Sequence, residues 1–110
     1  MRNWDISSLD VQPHRPMVLD SEAEGRAIVI HLPAGEQLQE HQVHERAWLL
    51  VVDGSIEIED SGGEKIQGTR GFLAAFDPNE RREVSATDDS RLLLVLSPWP
   101  GEGHPSQRGA

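Results

Sequence analysis

What most constrains this chain is the rhythm of its apolar residues. They come in short runs: Ala27 to Leu32, Ala47 to Val52, Ile56 to Ile58, Phe72 to Phe76, Val84 to Ala86 and Leu92 to Leu96. Between the runs lie turn-forming groups, Pro33-Ala34-Gly35, Asp53-Gly54, Ser61-Gly62-Gly63, Asp77-Pro78-Asn79 and Thr87-Asp88-Asp89. Short Val-, Ile- and Leu-rich runs at this spacing predict an antiparallel sandwich or barrel. In Ile56-Glu57-Ile58-Glu59 the apolar and acidic residues alternate, which sends one face inward and the other into water. Asp53-Gly54 predicts a tight hairpin, because both residues tolerate the positive φ that such a turn demands. Glu36 to Glu40 is good helix material by propensity. The apolar positions 38, 43 and 47 to 52 keep no helical period, however, so Gly35 to Val52 is read as strand.

The ends read differently. The stretch to Leu19 carries Pro13 and Pro16 and is expected to pack as an extended arm. From residue 98 the tail holds Pro98, Pro100 and Pro105, which remove donors and fix φ, so no regular element is expected there. Trp99 is expected to anchor that tail by burying its ring. With 110 residues the expectation is one domain spanning 1–110.

Charge and composition exclude several classes of function. Nineteen acidic residues face ten basic ones, a net charge of −9. Such a chain is repelled by phosphate backbones and anionic lipid, so neither nucleic acid nor membrane is an expected partner. There is no cysteine, which removes disulfides, thiolate metal sites and thiol nucleophiles, and fits a cytoplasmic location. The runs Trp48 to Val52 and Leu92 to Leu96 fall far short of the roughly twenty residues a bilayer span needs.

Two ordered motifs carry a family resemblance. Gly35, five residues, His41 and then Gly54 follow a first pattern. Gly71-Phe72-Leu73-Ala74-Ala75-Phe76-Asp77-Pro78-Asn79-Glu80-Arg81-Arg82 follows a second, its proline displaced by one. Together they resemble the cupin superfamily, which implies a double-stranded β-helix, a jelly-roll-like barrel. Metal-binding cupins carry two histidines and a glutamate in the first motif and one histidine in the second. By that resemblance the four positions here are His41, Val43, Ala47 and Arg82, so most of the usual ligand set is absent. His44 and Glu45 are possible deputies for a divalent metal. Side chains alternate along a strand, so His44 joins His41 only if a β-bulge re-aims it.

Arg82 shares its parity with Val84 and Ala86, which places it on the inner face. A permanent cation there repels a divalent metal, whereas its planar fork suits a carboxylate or other small anion. His41, His44 and Arg82 are thus the candidate ligand-binding residues. Trp48 is expected in the core or a subunit interface; His14, His31 and His104 are expected in solvated or capping roles. No nucleophile elbow, phosphate-cradling loop or HExxH motif is present.

Three functions follow as expectations. The first is a binding module for a small polar or anionic metabolite. The second is a metal-dependent enzyme of dioxygenase or isomerase type with a non-standard ligand set. The third is a non-catalytic structural or stress-related protein. A homodimer is the expectation the resemblance implies.

Overall fold

The computed structural model describes residues 1–41 and 45–97, the side chains of residues 39–41 excepted. Among them are a 3₁₀ turn, Ile6–Ser8, and the strands β1 (Met17–Glu22), β2 (Gly25–Leu32), β3 (Gln37–His41), β4 (Arg46–Asp53), β5 (Ser55–Asp60), β6 (Lys65–Thr69), β7 (Leu73–Phe76), β8 (Arg82–Ala86) and β9 (Ser90–Ser97). All pairings are antiparallel, in a five-stranded sheet of order β1-β2-β9-β4-β7 and a four-stranded sheet of order β3-β8-β5-β6. Only β1–β2 and β5–β6 are sequential neighbours within one sheet; every other step carries the chain to the opposite sheet. No helix among the described residues is long and apolar enough to cross a membrane.

Period-two alternation builds the core. From the larger sheet Ile30, Leu32, Ala47, Leu49, Val51, Phe76, Leu92, Leu94 and Leu96 form one buried cluster with Ile56, Ile58, Val84 and Ala86 of the smaller. Along β9 burial alternates strictly, with Ser90, Leu92, Leu94 and Leu96 buried and the intervening residues half-buried. Non-directional burial of this kind supplies most of the driving force for closing the two sheets on one another.

The expected hairpin at Asp53-Gly54 does not form. β4 pairs with β7 and β9, and β5 pairs with β6 and β8, so Gly54 is a corner where the chain changes sheets. Its φ of 98° lies in the region that favours glycine. Space forbids any other residue as well, since a Cβ there would run into Asp89 O, 2.5 Å away, and Ser90 Cα at 2.6 Å.

Serine seals this corner. The Ser55 N–H donates to Ser90 Oγ at 3.0 Å. The single hydroxyl hydrogen of Ser90 is shared between Asp88 O at 2.8 Å and Ser55 O at 3.1 Å. Ser55 O also accepts from the Thr87 N–H at 2.9 Å and the Thr87 hydroxyl at 3.0 Å. On the far side, Gly35 N–H to Ala86 O at 2.9 Å and Ala86 N–H to Glu36 O at 2.8 Å continue the β3–β8 ladder. These loops close one end of the barrel.

The N-terminal arm is shorter than expected, because Met17 to Leu19 already belong to β1. The preceding segment is tied down at the same closed end. Arg91 Nη1 donates to the carbonyls of Ile6 at 2.9 Å and Leu9 at 2.6 Å. His31 Nδ1 lies 3.1 Å from Val11 O and Nε2 lies 2.9 Å from Asp89 Oδ1. A carbonyl only accepts, so Nδ1 must carry the hydrogen on that side. His31 thus fastens the arm to the sheet, a more specific role than solvation.

Candidate ligand site at the open end of the barrel

At the opposite end lie His41, the turn after β5 and the turn between β7 and β8. The last of these delivers Arg82. Asp77 O accepts from the Glu80 N–H at 3.1 Å, and the Asp77 N–H donates to Glu80 Oε1 at 3.0 Å. Asn79 takes φ 65°, a left-handed conformation asparagine tolerates better than most residues. The reversal starts β8 at Arg82 with its parity set inward. Arg82, Val84 and Ala86 are 6 %, 2 % and 4 % exposed.

Arg82 is therefore a cation inside an apolar layer. Its Cζ sits 4.7 Å from the centroid of the Phe76 ring, a cation–π contact that covers one face of the guanidinium. Nη1 is buried and has no hydrogen-bond partner among the described residues. Asp60 is the cross-strand partner by register and the obvious counter-ion. Its Oδ1 instead accepts from the N–H groups of Gly62 and Glu64, both at 2.9 Å, holding the β5–β6 turn. Burial pushes the Arg82 pKa below the usual arginine value, and the negative charge of Glu80 offsets part of that effect. A buried donor left unmade costs about 1–3 kcal/mol, and more when the group is charged. Beside it opens a cleft of about 570 Å³, bordered by Glu59, Asp60, Gly62, Arg81, Arg82 and Glu83.

The other candidates stand as follows. The Cα of His41 pairs with that of Arg82, whereas Leu38 pairs with Val84. Three steps along β3 thus face two along β8, an extra residue that marks a β-bulge before His41. The His41 side chain, and all of His44 and Val43, lie outside the described residues. Ala47 is fully buried on β4, paired with Phe76 and Leu96. Of the four family metal positions the two described side chains are thus a methyl group and a guanidinium, neither of which donates to a cation. Among the described residues no three His, Cys, Asp or Glu side chains come together as a metal site. The described residues do not fit the family's metal.

Sequence reasoning passed over Phe76, which covers one face of Arg82, and Asp60, whose Oδ1 is engaged in the β5–β6 turn. The signal for Phe76 was present: an aromatic at the end of one inward run, six residues before the arginine, with a Pro-Asn turn between. A second cleft, of about 410 Å³ at the closed end, is bordered by Ser7, His31, Asp53, Arg70, Asp89 and Arg91. Its His31, Asp89 and Arg91 are already engaged in fastening the arm.

Solved structures place this architecture. An RmlC-like cupin protein from Desulfovibrio desulfuricans superposes with a TM-score of 0.78 at 17 % identity, over 88 % of this chain and 96 % of that one. An RmlC-like cupin from Methanocaldococcus jannaschii, described as a double-stranded β-helix, gives 0.72 at 18 %, over 86 % and 84 %. KdgF from a Halomonas species gives 0.70 at 22 %, over 83 % and 86 %. No family model matches the sequence, and no curated protein is significantly similar to it. The chain has the cupin fold, a double-stranded β-helix; likeness at these identities speaks for the fold and not for an activity.

Proposed function

We propose that this chain is a binding protein that holds a small anionic ligand against Arg82 at the open end of its barrel. One observation carries the reading: a guanidinium that is 6 % exposed, with Nη1 buried and unpartnered among the described residues. Buried donors of a charged group are normally paired, so a buried Nη1 with no partner among the described residues suits an incoming acceptor. Arg82 borders a cleft of about 570 Å³. The test is thermal shift with a panel of small anions on the native chain and on Arg82→Met. Stabilisation by at least one anion, lost in the variant, supports the reading; stabilisation that survives in Arg82→Met overturns it.

We propose, too, that two copies pair through the outer face of the five-stranded sheet. Two rows cross that face, Val29–Leu93–Leu50–Leu73 and Ala27–Val95–Trp48–Ala75. Leu73 is 59 % exposed, Trp48, Leu50, Leu93 and Val95 are half-buried, and Val29 is already fully covered within the chain. Not one of the eight is charged, in a chain of net charge −9. Glu57, Glu59 and Glu83 lie on the other sheet, so face-to-face pairing keeps the acidic surfaces apart. Sedimentation should show a dimer that Leu73→Glu converts to monomer; a native monomer at tens of micromolar overturns the pairing.

A further inference from the structure

We infer that the ligand of the Arg82 site is a zwitterion, with its anionic end on Arg82 and an ammonium-type cationic end at Glu59 and Glu83. The inference rests on the anion-binding reading above and deepens it by naming the second charge that the ligand carries.

The cleft lies where β5 ends and β8 begins, and residues from both faces of the four-stranded sheet border it. Arg82 and Asp60 belong to the inner face, in step with Val84, Ile56 and Ile58. Glu59 and Glu83, one position away on each strand, belong to the outer face, and the register sets them directly opposite one another. Like charges placed in this way repel, so the pair works against the sheet that holds it. Relief from within the chain is slight. Lys65, the partner of Glu59 on β6, keeps its Nζ 3.9 Å from Glu59 Oε1, with 60 % of its side chain exposed. Glu83 has no hydrogen bond or ion pair among the described residues.

Two deficits of opposite sign thus border a single cleft. One is a guanidinium, 6 % exposed, whose Nη1 has no acceptor among the described residues. The other is a pair of opposed carboxylates short of a cation. The rest of the border agrees with this division. Glu59, Asp60 and Glu83 stand against Arg81 and Arg82, three negative charges to two positive, and Ser61, Gly62 and Gly63 complete the lining. A plain anion meets an excess of negative charge there, whereas a zwitterion adds no net charge and meets both signs with their opposites. With no apolar side chain in the lining, charge placement is what the cleft has to select by. Because Arg82 and Glu83 point to opposite faces of β8, the two ends of the ligand need a spacer between them.

The experiment is calorimetric titration at pH 8 and low salt with two matched pairs of probes, 4-aminobutyrate against butyrate and 6-aminohexanoate against hexanoate. The native chain is compared with Arg82→Met and with the double variant Glu59→Gln/Glu83→Gln, circular dichroism confirming that each is folded. In at least one pair the amino acid is expected to bind about fivefold more tightly than its ammonium-free counterpart, the upper end of what a partly exposed ion pair contributes. The double variant should erase that advantage and leave the plain carboxylate bound at least as tightly as before. Arg82→Met should abolish binding of both. If neither amino acid exceeds its counterpart while Arg82→Met removes both, the zwitterion falls and the anion site stands. If the advantage survives in the double variant, Glu59 and Glu83 do not hold the cationic end and the inference is overturned. If no probe binds, or binding survives in Arg82→Met, the anion site itself falls, and the zwitterion with it. Should Arg82→Met fail to fold, Arg82→Lys decides, since it keeps the charge without the planar fork: amino-acid affinity unchanged there overturns the assignment of the anionic end.

Discussion

The two ends of this barrel bury polar groups in opposite ways. At the closed end Ser55 and Ser90 are 6 % and 2 % exposed, and Ser90 Oγ accepts one hydrogen bond and has two carbonyls within donating range. At the open end Arg82 is equally buried and leaves Nη1 unpartnered among the described residues. Satisfied burial is what architecture looks like: the Ser55 N–H and the Ser90 hydroxyl both have acceptors, and the groups fix where the chain crosses from sheet to sheet. Unsatisfied burial of a charge works against the fold and calls for a different explanation, which the anion reading provides. The contrast gives mutations at the two ends opposite signs.

The largest effect is expected at the corner. Gly54→Val should destabilise by roughly 3 kcal/mol or more, since it combines a left-handed backbone with collision against the Asp89 and Ser90 backbone. Urea denaturation reads this directly, and a loss below about 1 kcal/mol would show that the corner relaxes freely. Next comes Ser90→Ala, which strips the buried Ser55 N–H of its acceptor; about 2 kcal/mol should be lost with no change in anion response.

Arg82→Met should then break the pattern. Exchanging a buried cation whose Nη1 has no partner among the described residues for an apolar side chain of similar length is expected to leave stability unchanged or raise it by about 1 kcal/mol, while abolishing anion binding. A loss as large as that of Ser90→Ala would mean that Arg82 is structural and the contrast false. The pH dependence sharpens this. Burial lowers the folded-state pKa of a cation, so its charged form opposes folding at every pH below that value. Relief comes only as pH rises through it, in strong alkali. The difference in stability between Arg82→Met and the native chain should therefore stay flat from pH 6 to pH 9, as urea midpoints at each pH would show. The smallest effect belongs to Arg46→Ala, which removes an ion pair of 2.7 Å to a largely exposed Asp77 and should cost no more than about 1 kcal/mol.

Much of this fold was legible in the residues. Each of the six apolar runs lies in or overlaps a strand, and Arg82 faces inward with Val84 and Ala86 as parity demands. What escaped was pairing. A two-residue hairpin at Asp53-Gly54 and a sheet-switching corner both put Val51 and Ile56 on one face, so alternation cannot separate them. The choice is made by Ser90, thirty-five residues beyond Ser55, whose hydroxyl fills the corner. β6 was missed because Lys65-Ile66-Gln67-Gly68-Thr69 is an edge strand with only Gly68 buried, leaving no apolar signature. Of the site, the inward arginine was legible. The engagement of Asp60 in its own turn was not, because it depends on a loop that no periodicity encodes.

The lock formed by Ser55, Ser90 and Thr87 has a bearing on how such a molecule changes over generations. Because the crossing of the chain is secured at one extremity, the loops at the other carry little responsibility for the topology. Residues there are free to drift, exchange charge or lengthen without the strands losing their places. A chain built on this plan can change side chains at one pole while the opposite pole keeps the crossing in place.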